Sequence, residues 1–144
     1  MKPILICCEV DFPKVLRVKE EFYGADCCEM FVKYLTNLVG LVAGKIYVYA
    51  HNGGRFDHLF LQEYLMYRFS QSYQLVGDVT CIKQASIYDG RIVFRDSCLL
   101  IPGRLESLAE DFGVQGKNDF KAAEITEEKL ANPEYKKQMI EYCH

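Results

Sequence analysis

The side chains best placed for chemistry lie in one stretch, His51-Asn52-Gly53-Gly54-Arg55-Phe56-Asp57-His58. Asp57 offers a carboxylate, the ligand type that hard divalent cations take. Asn52 precedes it across an Asn-Gly-Gly turn. His51, Asp57 and His58 raise zinc as an alternative, but structural zinc takes four ligands in short paired Cys or His spacings. The spacing here is not of that kind, and Cys143-His144 stands far away in the sequence, so zinc is not expected.

Three elements must position these residues. Ile46-Tyr47-Val48-Tyr49-Ala50 is rich in β-branched and aromatic residues and reads as a buried strand. Asn52-Gly53-Gly54 turns the chain. Phe56, Leu59, Phe60, Tyr64 and Tyr67 then recur at helical spacing, which predicts a helix from about Arg55 to Tyr67. Asn-Gly between apolar runs is also a hairpin signal. A hairpin would need strict alternation after the turn, and Leu59-Phe60-Leu61 breaks it. Strand, turn and helix is therefore the expected order, with Ile46–Ala50 at the centre of its sheet and Asn52 and Asp57 at the strand's C-terminal mouth. In an open α/β sheet that mouth is where ligands bind.

The rest of the chain supplies further elements. Pro3 to Val10 reads as a buried strand and Lys14 to Lys19 as a partly exposed return. Asp26 to Leu38 reads as a helix with Met30, Phe31, Tyr34, Leu35 and Leu38 on its apolar face. Tyr73 to Val79 is ambiguous. Cys81 to Tyr88 and Arg91 to Asp96 are strands joined by Asp89-Gly90, a hairpin signal. Arg104 to Phe112 reads as a helix with Leu105, Leu108, Ala109 and Phe112 on one face and Gly113 as its stop. Thr126 to Lys129 suggests one helical turn, and Asn132-Pro133 starts a last helix. The fold class is α/β.

Composition narrows the function classes. The 144 residues suffice for one domain, and half of them are hydrophobic. A net charge of −3 gives no global basic footprint for nucleic acid. Seven cysteines, with adjacent pairs at Cys7-Cys8 and Cys27-Cys28, do not form a disulfide-framework pattern, so reduced thiols are expected. No apolar run reaches the roughly 18 residues of a membrane span. The N-terminus lacks the features of a targeting segment. An intracellular protein is expected, whether cytoplasmic, mitochondrial or virus-associated, and not a secreted one.

Tyr49-Ala50-His51-Asn52-Gly53-Gly54-Arg55-Phe56-Asp57, followed by Leu59-Phe60-Leu61, resembles the second exonuclease motif of family B DNA polymerases. The match is to the protein-primed branch found in linear plasmids, organelles and viruses. Arg95-Asp96-Ser97-Cys98, followed by Pro102 and a helix, resembles an Asp-Ser-Leu element of the same enzymes, with Cys98 in place of the leucine. Asp96 and Ser97 are also common at strand ends for turn reasons alone. Tyr142 resembles the tyrosine of the third exonuclease motif, whose aspartate would fall two residues beyond His144.

The resemblance implies a ribonuclease H-like mixed sheet flanked by helices. Residues 1–144 would be a single partial 3′–5′ exonuclease domain of a DNA-directed DNA polymerase. It implies Mg²⁺ or Mn²⁺, with Asp57 as metal ligand and catalytic residue. Lys117 and Tyr142 would position the scissile phosphate and water. Asn52, Phe56, His51 and Ser97 would contact single-stranded DNA, with Phe56 packing under the site. The primer 3′ end is the implied partner, and a terminal protein a further one. The family's first strand, with its Asp-x-Glu pair, has no counterpart; Glu9 and Asp11 read as strand-end surface carboxylates. That strand would lie between the Pro3–Val10 strand and Ile46–Ala50, so one edge of each is expected to be unpaired or the two forced together. With one of four carboxylates, this chain alone is expected to be inactive. The alternative is a non-catalytic ribonuclease H-like module for nucleic-acid binding or protein interaction.

Overall fold

A computed structural model describes residues 3–12, 16–78, 80–114 and 127–144. Strands β1 (Leu5–Phe12) and β2 (Leu16–Tyr23) form an antiparallel ribbon, with Leu5 opposite Tyr23 and Phe12 opposite Leu16. Alternation sends Ile6, Cys8, Val10 and Phe12, with Phe22, to the core. Glu9 and Asp11 stay exposed as surface carboxylates, Glu9 beside Arg17 at 3.8 Å. The ribbon is half-buried rather than a buried strand, and it packs on helix α1 (Cys27–Val39).

The larger sheet has four strands: β3 (Ile46–Ala50), β4 (Gln74–Asp78), β5 (Cys81–Ile87) and β6 (Ile92–Asp96). Their order is β3-β6-β5-β4, with β3 parallel to β6 and the other pairs antiparallel. Helix α2 (Asp57–Arg68) crosses between β3 and β4. Helices α1 and α2 share one core with Ile82, Ala85, Ile87, Ile92 and Phe94 of β5 and β6. The architecture is a mixed α/β sheet with helices packed against it. Shorter helices follow: α3 (Leu105–Asp111), α4 (Glu127–Leu130) and α5 (Pro133–Cys143). Asn132 caps α5 by accepting from the Glu134 and Tyr135 amides. Among the described residues, no helix is long and apolar enough to cross a membrane.

The expected hairpin between β5 and β6 forms. Asp89 and Gly90 take φ of 53° and 77°, and the Arg91 amide donates to the Tyr88 carbonyl at 3.0 Å. Tyr88 before them is also left-handed, φ 57°, and the positive values at Asp89 and Gly90 give the turn the hand that matches the twist of its strands. Arg91 itself is a clamp. Its guanidinium donates to the carbonyls of Val42 at 2.7 Å and Val39 at 3.2 Å, and its Nε to Gly44 at 3.2 Å. It thus ties the end of α1 and the linker into β3 to the hairpin. Arg91→Ala is expected to cost about 1–2 kcal/mol in urea unfolding. Arg91→Lys should recover little of this, because one ammonium cannot span three carbonyls as the planar fork does.

Several expectations need correction. Ile46–Ala50 lies at an edge of its sheet, not at the centre: β6 is its one strand partner among the described residues. Nor is it buried throughout, since Tyr47 and Tyr49 face solvent. On α1 the buried stripe is Cys27, Phe31, Val32, Leu35 and Leu38, while Met30 is exposed. On α2 it is His58, Leu61, Gln62 and Leu65, leaving Phe56, Phe60 and Tyr67 exposed. The i, i+3, i+4, i+7 stripe holds there, but it includes two polar residues, which a reading by hydropathy passes over. On α3 only Ala109 is buried, with Leu105 and Phe112 exposed.

Candidate functional site

Because β3 and β6 are parallel, their C-terminal ends lie side by side, with Ala50 opposite Asp96. The next residues of each strand therefore meet. His51 Nε2 lies 2.8 Å from the Gly103 carbonyl and His51 Nδ1 3.2 Å from Ser97 Oγ. A carbonyl can only accept, so Nε2 carries the proton and Nδ1 accepts from the serine hydroxyl. The imidazole thus joins the mouth of β3 to the loop before α3.

Asn52 then takes a left-handed conformation, φ 59° and ψ 23°, which asparagine tolerates better than most residues. Gly53 and Gly54 follow in a buried 3₁₀ turn, Gly53–Arg55. The Gly54 amide donates to Asp96 Oδ2 at 3.1 Å, and the Cys98 amide donates to Asp96 Oδ1 at 2.9 Å. Asp96 is 6% exposed, so both hydrogen bonds are shielded from water. One turn on, His58 Nε2 donates to the Arg95 carbonyl at 3.0 Å, and its ring meets the edge of Phe94 at 5.8 Å. The turn is fastened at both ends to β6 and the residues just beyond it.

That fastening sets what is presented. Asp57 opens α2 and is exposed, at the helix end where a negative charge is favoured. Phe56 is 57% exposed and does not pack under the site, because the buried turn before it directs it outward. Asn52, His51 and Ser97 are brought together with this exposed pair at one rim of the sheet. Tyr142 is not: it sits on α5, which packs against β1 and α4. Lys117 lies outside the described residues.

A hard divalent ion needs several oxygen ligands, carboxylates foremost. No group of three or more His, Cys, Asp or Glu residues converges among the described residues. Asp96 has both oxygens engaged by backbone amides, which leaves Asp57 as the single carboxylate presented at the rim among the described residues. These residues do not by themselves fit a two-ion site. The thiols supply no substitute: burial pushes Cys8 and Cys28 up to about 11, and hydrogen bonding with Cys143 plus burial pushes Cys7 far above its usual range.

A family model for organellar and viral type B DNA polymerases matches residues 41–144. The chain belongs to that family. Over 100 residues it is also 30% identical to the DNA-directed DNA polymerase of Enterobacteria phage PRD1. The aligned stretch covers 67% of this chain and 16% of that enzyme. No solved structure matches.

The matched span of this type B polymerase chain begins just before β3 and takes in the whole rim. Three residues that build the rim were not singled out in the sequence as doing so: Gly54, His58 and Asp96. Each acts through a contact between β6 and the turn or the helix after it, across 42 residues for Gly54–Asp96 and 37 for His58–Arg95. The signal was present in Asp96 and the Gly-Gly pair, but it needs the parallel pairing of β3 and β6 to be read.

Proposed function

We propose that the chain forms part of a proofreading 3′–5′ exonuclease domain, ribonuclease H-like in fold, of a protein-primed type B DNA polymerase that acts in DNA replication. The carrying observation is the convergence of His51, Asn52 and Ser97 beside exposed Phe56 and Asp57 at the ends of two parallel strands. Asn52 and the Ser97 hydroxyl hydrogen-bond the terminal nucleotide of a primer 3′ end. His51 holds the hydroxyl in position, and Phe56 offers a ring to the last base. Asp57 contributes one carboxylate toward Mg²⁺ or Mn²⁺, which when bound would supply Lewis-acid chemistry at the phosphate. Lys117 joins the catalytic set, and a terminal protein is a further partner.

The second reading is a non-catalytic nucleic-acid-binding or interaction module. The lone carboxylate that the described residues present at the rim favours it for this chain in isolation. Among the described residues one edge of β3 has no strand partner, which supports the first reading, since a further strand laid along it would bring its own side chains to the same mouth.

Purified chain is expected to bind a linear single-stranded oligonucleotide without shortening it in Mg²⁺ or Mn²⁺. Asn52→Ala and Ser97→Ala should each weaken binding about tenfold, the worth of one well-made polar contact. Trimming by the isolated chain that Asp57→Ala abolishes would show that the described carboxylates suffice after all. Binding unchanged in both alanine variants would remove the 3′-end reading.

A further inference from the structure

We infer that Cys7 and Cys143 are a redox pair, and that a disulfide between them latches helix α5 to the β1–β2 ribbon. The register sets Cys7 opposite Glu21 and Leu5 opposite Tyr23. Ile6, Cys8 and Phe22 turn to the core, so Cys7, Glu21 and Tyr23 share the opposite face of the ribbon. Helix α5 lies on that face. The Lys136 ammonium sits 4.0 Å from the Tyr23 ring centroid, and His144 Nε2 lies 3.3 Å from Glu21 Oε1. Met139, between them in sequence, is buried. The end of the helix therefore comes over the Cys7–Glu21 rung, and there the thiols of Cys143 and Cys7 hydrogen-bond to each other.

The fold thus brings together two sulfurs that stand nearly a whole chain apart in sequence. Cys27 and Cys28 also lie together, but they are neighbours within α1. Cys27 is fully buried and donates to the Pro3 carbonyl at 3.3 Å, and Cys28 donates to the Phe60 carbonyl at 4.0 Å. Cys8 faces the core.

Exposure divides the steps between the two partners. Cys143 is exposed and meets an oxidant first. Cys7 is half-buried, and the hydrogen bond with Cys143 together with burial holds its thiol above the usual range, which makes it a poor first nucleophile. With glutathione disulfide as oxidant, the Cys143 thiolate attacks one sulfur and expels a glutathione thiolate, leaving a mixed disulfide. Deprotonated Cys7 then attacks Cys143 Sγ and expels the second glutathione. Two protein thiols lose two electrons and two protons, and one glutathione disulfide becomes two glutathione thiols. The bond makes covalent a docking that Met139, Lys136 and His144 hold non-covalently. Because α5 carries Tyr142, oxidation fixes that tyrosine on the ribbon, apart from the rim.

The test incubates the 144-residue chain with glutathione disulfide and reads intact mass and peptide maps. The expected product has lost two hydrogens, carries no glutathione and links Cys7 to Cys143, and dithiothreitol reverses it. Cys7→Ser should stop at a glutathione adduct on Cys143, and Cys143→Ser should give no cross-link. Lys136→Ala, which removes the contact with Tyr23, should slow closure about threefold while leaving the first attack on Cys143 unchanged. The oxidised chain should melt on the order of 5–10 °C higher, since the bond closes a very long loop. Its α5 amides should exchange more slowly with solvent, and neither change should occur in Cys7→Ser. A wild-type chain that keeps its Cys143 adduct without closing, or that links other cysteines instead, would overturn the inference. So would a Cys7–Cys143 bond that forms as fast in urea, because the fold would then not be what pairs the thiols.

Discussion

Gly54→Ala is expected to collapse the rim and lower the stability of the chain by about 3 kcal/mol or more, a large share of the roughly 5–15 kcal/mol that holds a domain together. A Cβ at this position would lie 2.0 Å from the Ile82 carbonyl oxygen and 2.9 Å from its carbon, with Asp96 Oδ2 at 3.1 Å. The first two are backbone atoms of β5, which is paired on both sides. Relief therefore requires moving a central strand or lifting the turn from it. Lifting the turn breaks the Gly54–Asp96 hydrogen bond and unseats Asn52 and Phe56 together. Gly44→Ala is the matched control: nothing lies within 4 Å of its Cβ and its φ is ordinary. It should stay within about 1 kcal/mol of wild type, on the stabilising side through the unfolded state. Urea unfolding of both variants checks the pair. Equal midpoints would mean that the turn does not rest on β5 as described.

Legibility followed the range of the interactions. The hairpin at Asp89-Gly90 and the cap at Asn132 were readable because each is decided within four residues. So was the helix after Asn52-Gly53-Gly54, where Gln62-Glu63-Tyr64-Leu65-Met66 favours helix over a returning strand. The faces were less readable. Phe60 and Tyr67 look like core residues by type, yet α2 buries His58 and Gln62 instead, because β6 offers the Arg95 carbonyl as a partner for His58. The place of β3 in its sheet was not readable from its own residues at all. Ile46 to Ala50 carries the composition of a central strand, and its edge position depends on which strands stand beside it. Of the two outcomes expected for β1 and β3, an unpaired edge on each or the two forced together, the described strands show the first, since β1 pairs with β2 alone and β3 with β6 alone among them.

Asp96→Ala is expected to destabilise by about 3 kcal/mol, for the same rim seen from its other side. The carboxylate accepts the Gly54 and Cys98 amides, and hydrogen bonds to a charged acceptor contribute about 1.5–3 kcal/mol each. Removing a buried charge offsets part of that loss, because its desolvation cost disappears with it. The Gly54 amide, on a buried residue, is left without an acceptor, while the Cys98 amide is half-buried and can turn to water. Asp96→Asn should fall between, at about 1–2 kcal/mol, since its amide can accept through one atom but presents a donor to the second backbone N–H. Two measurements separate this from a general weakening of the fold. Hydrogen exchange should show the Gly54 amide losing protection in Asp96→Ala while amides of the β5–β6 ladder keep theirs. Binding of linear single-stranded DNA through the rim should weaken, because Ser97 and the turn bearing Asn52 both lose their anchor. A variant as stable as wild type, with Gly54 still protected, would mean that another acceptor holds the turn and that Asp96 is not its anchor.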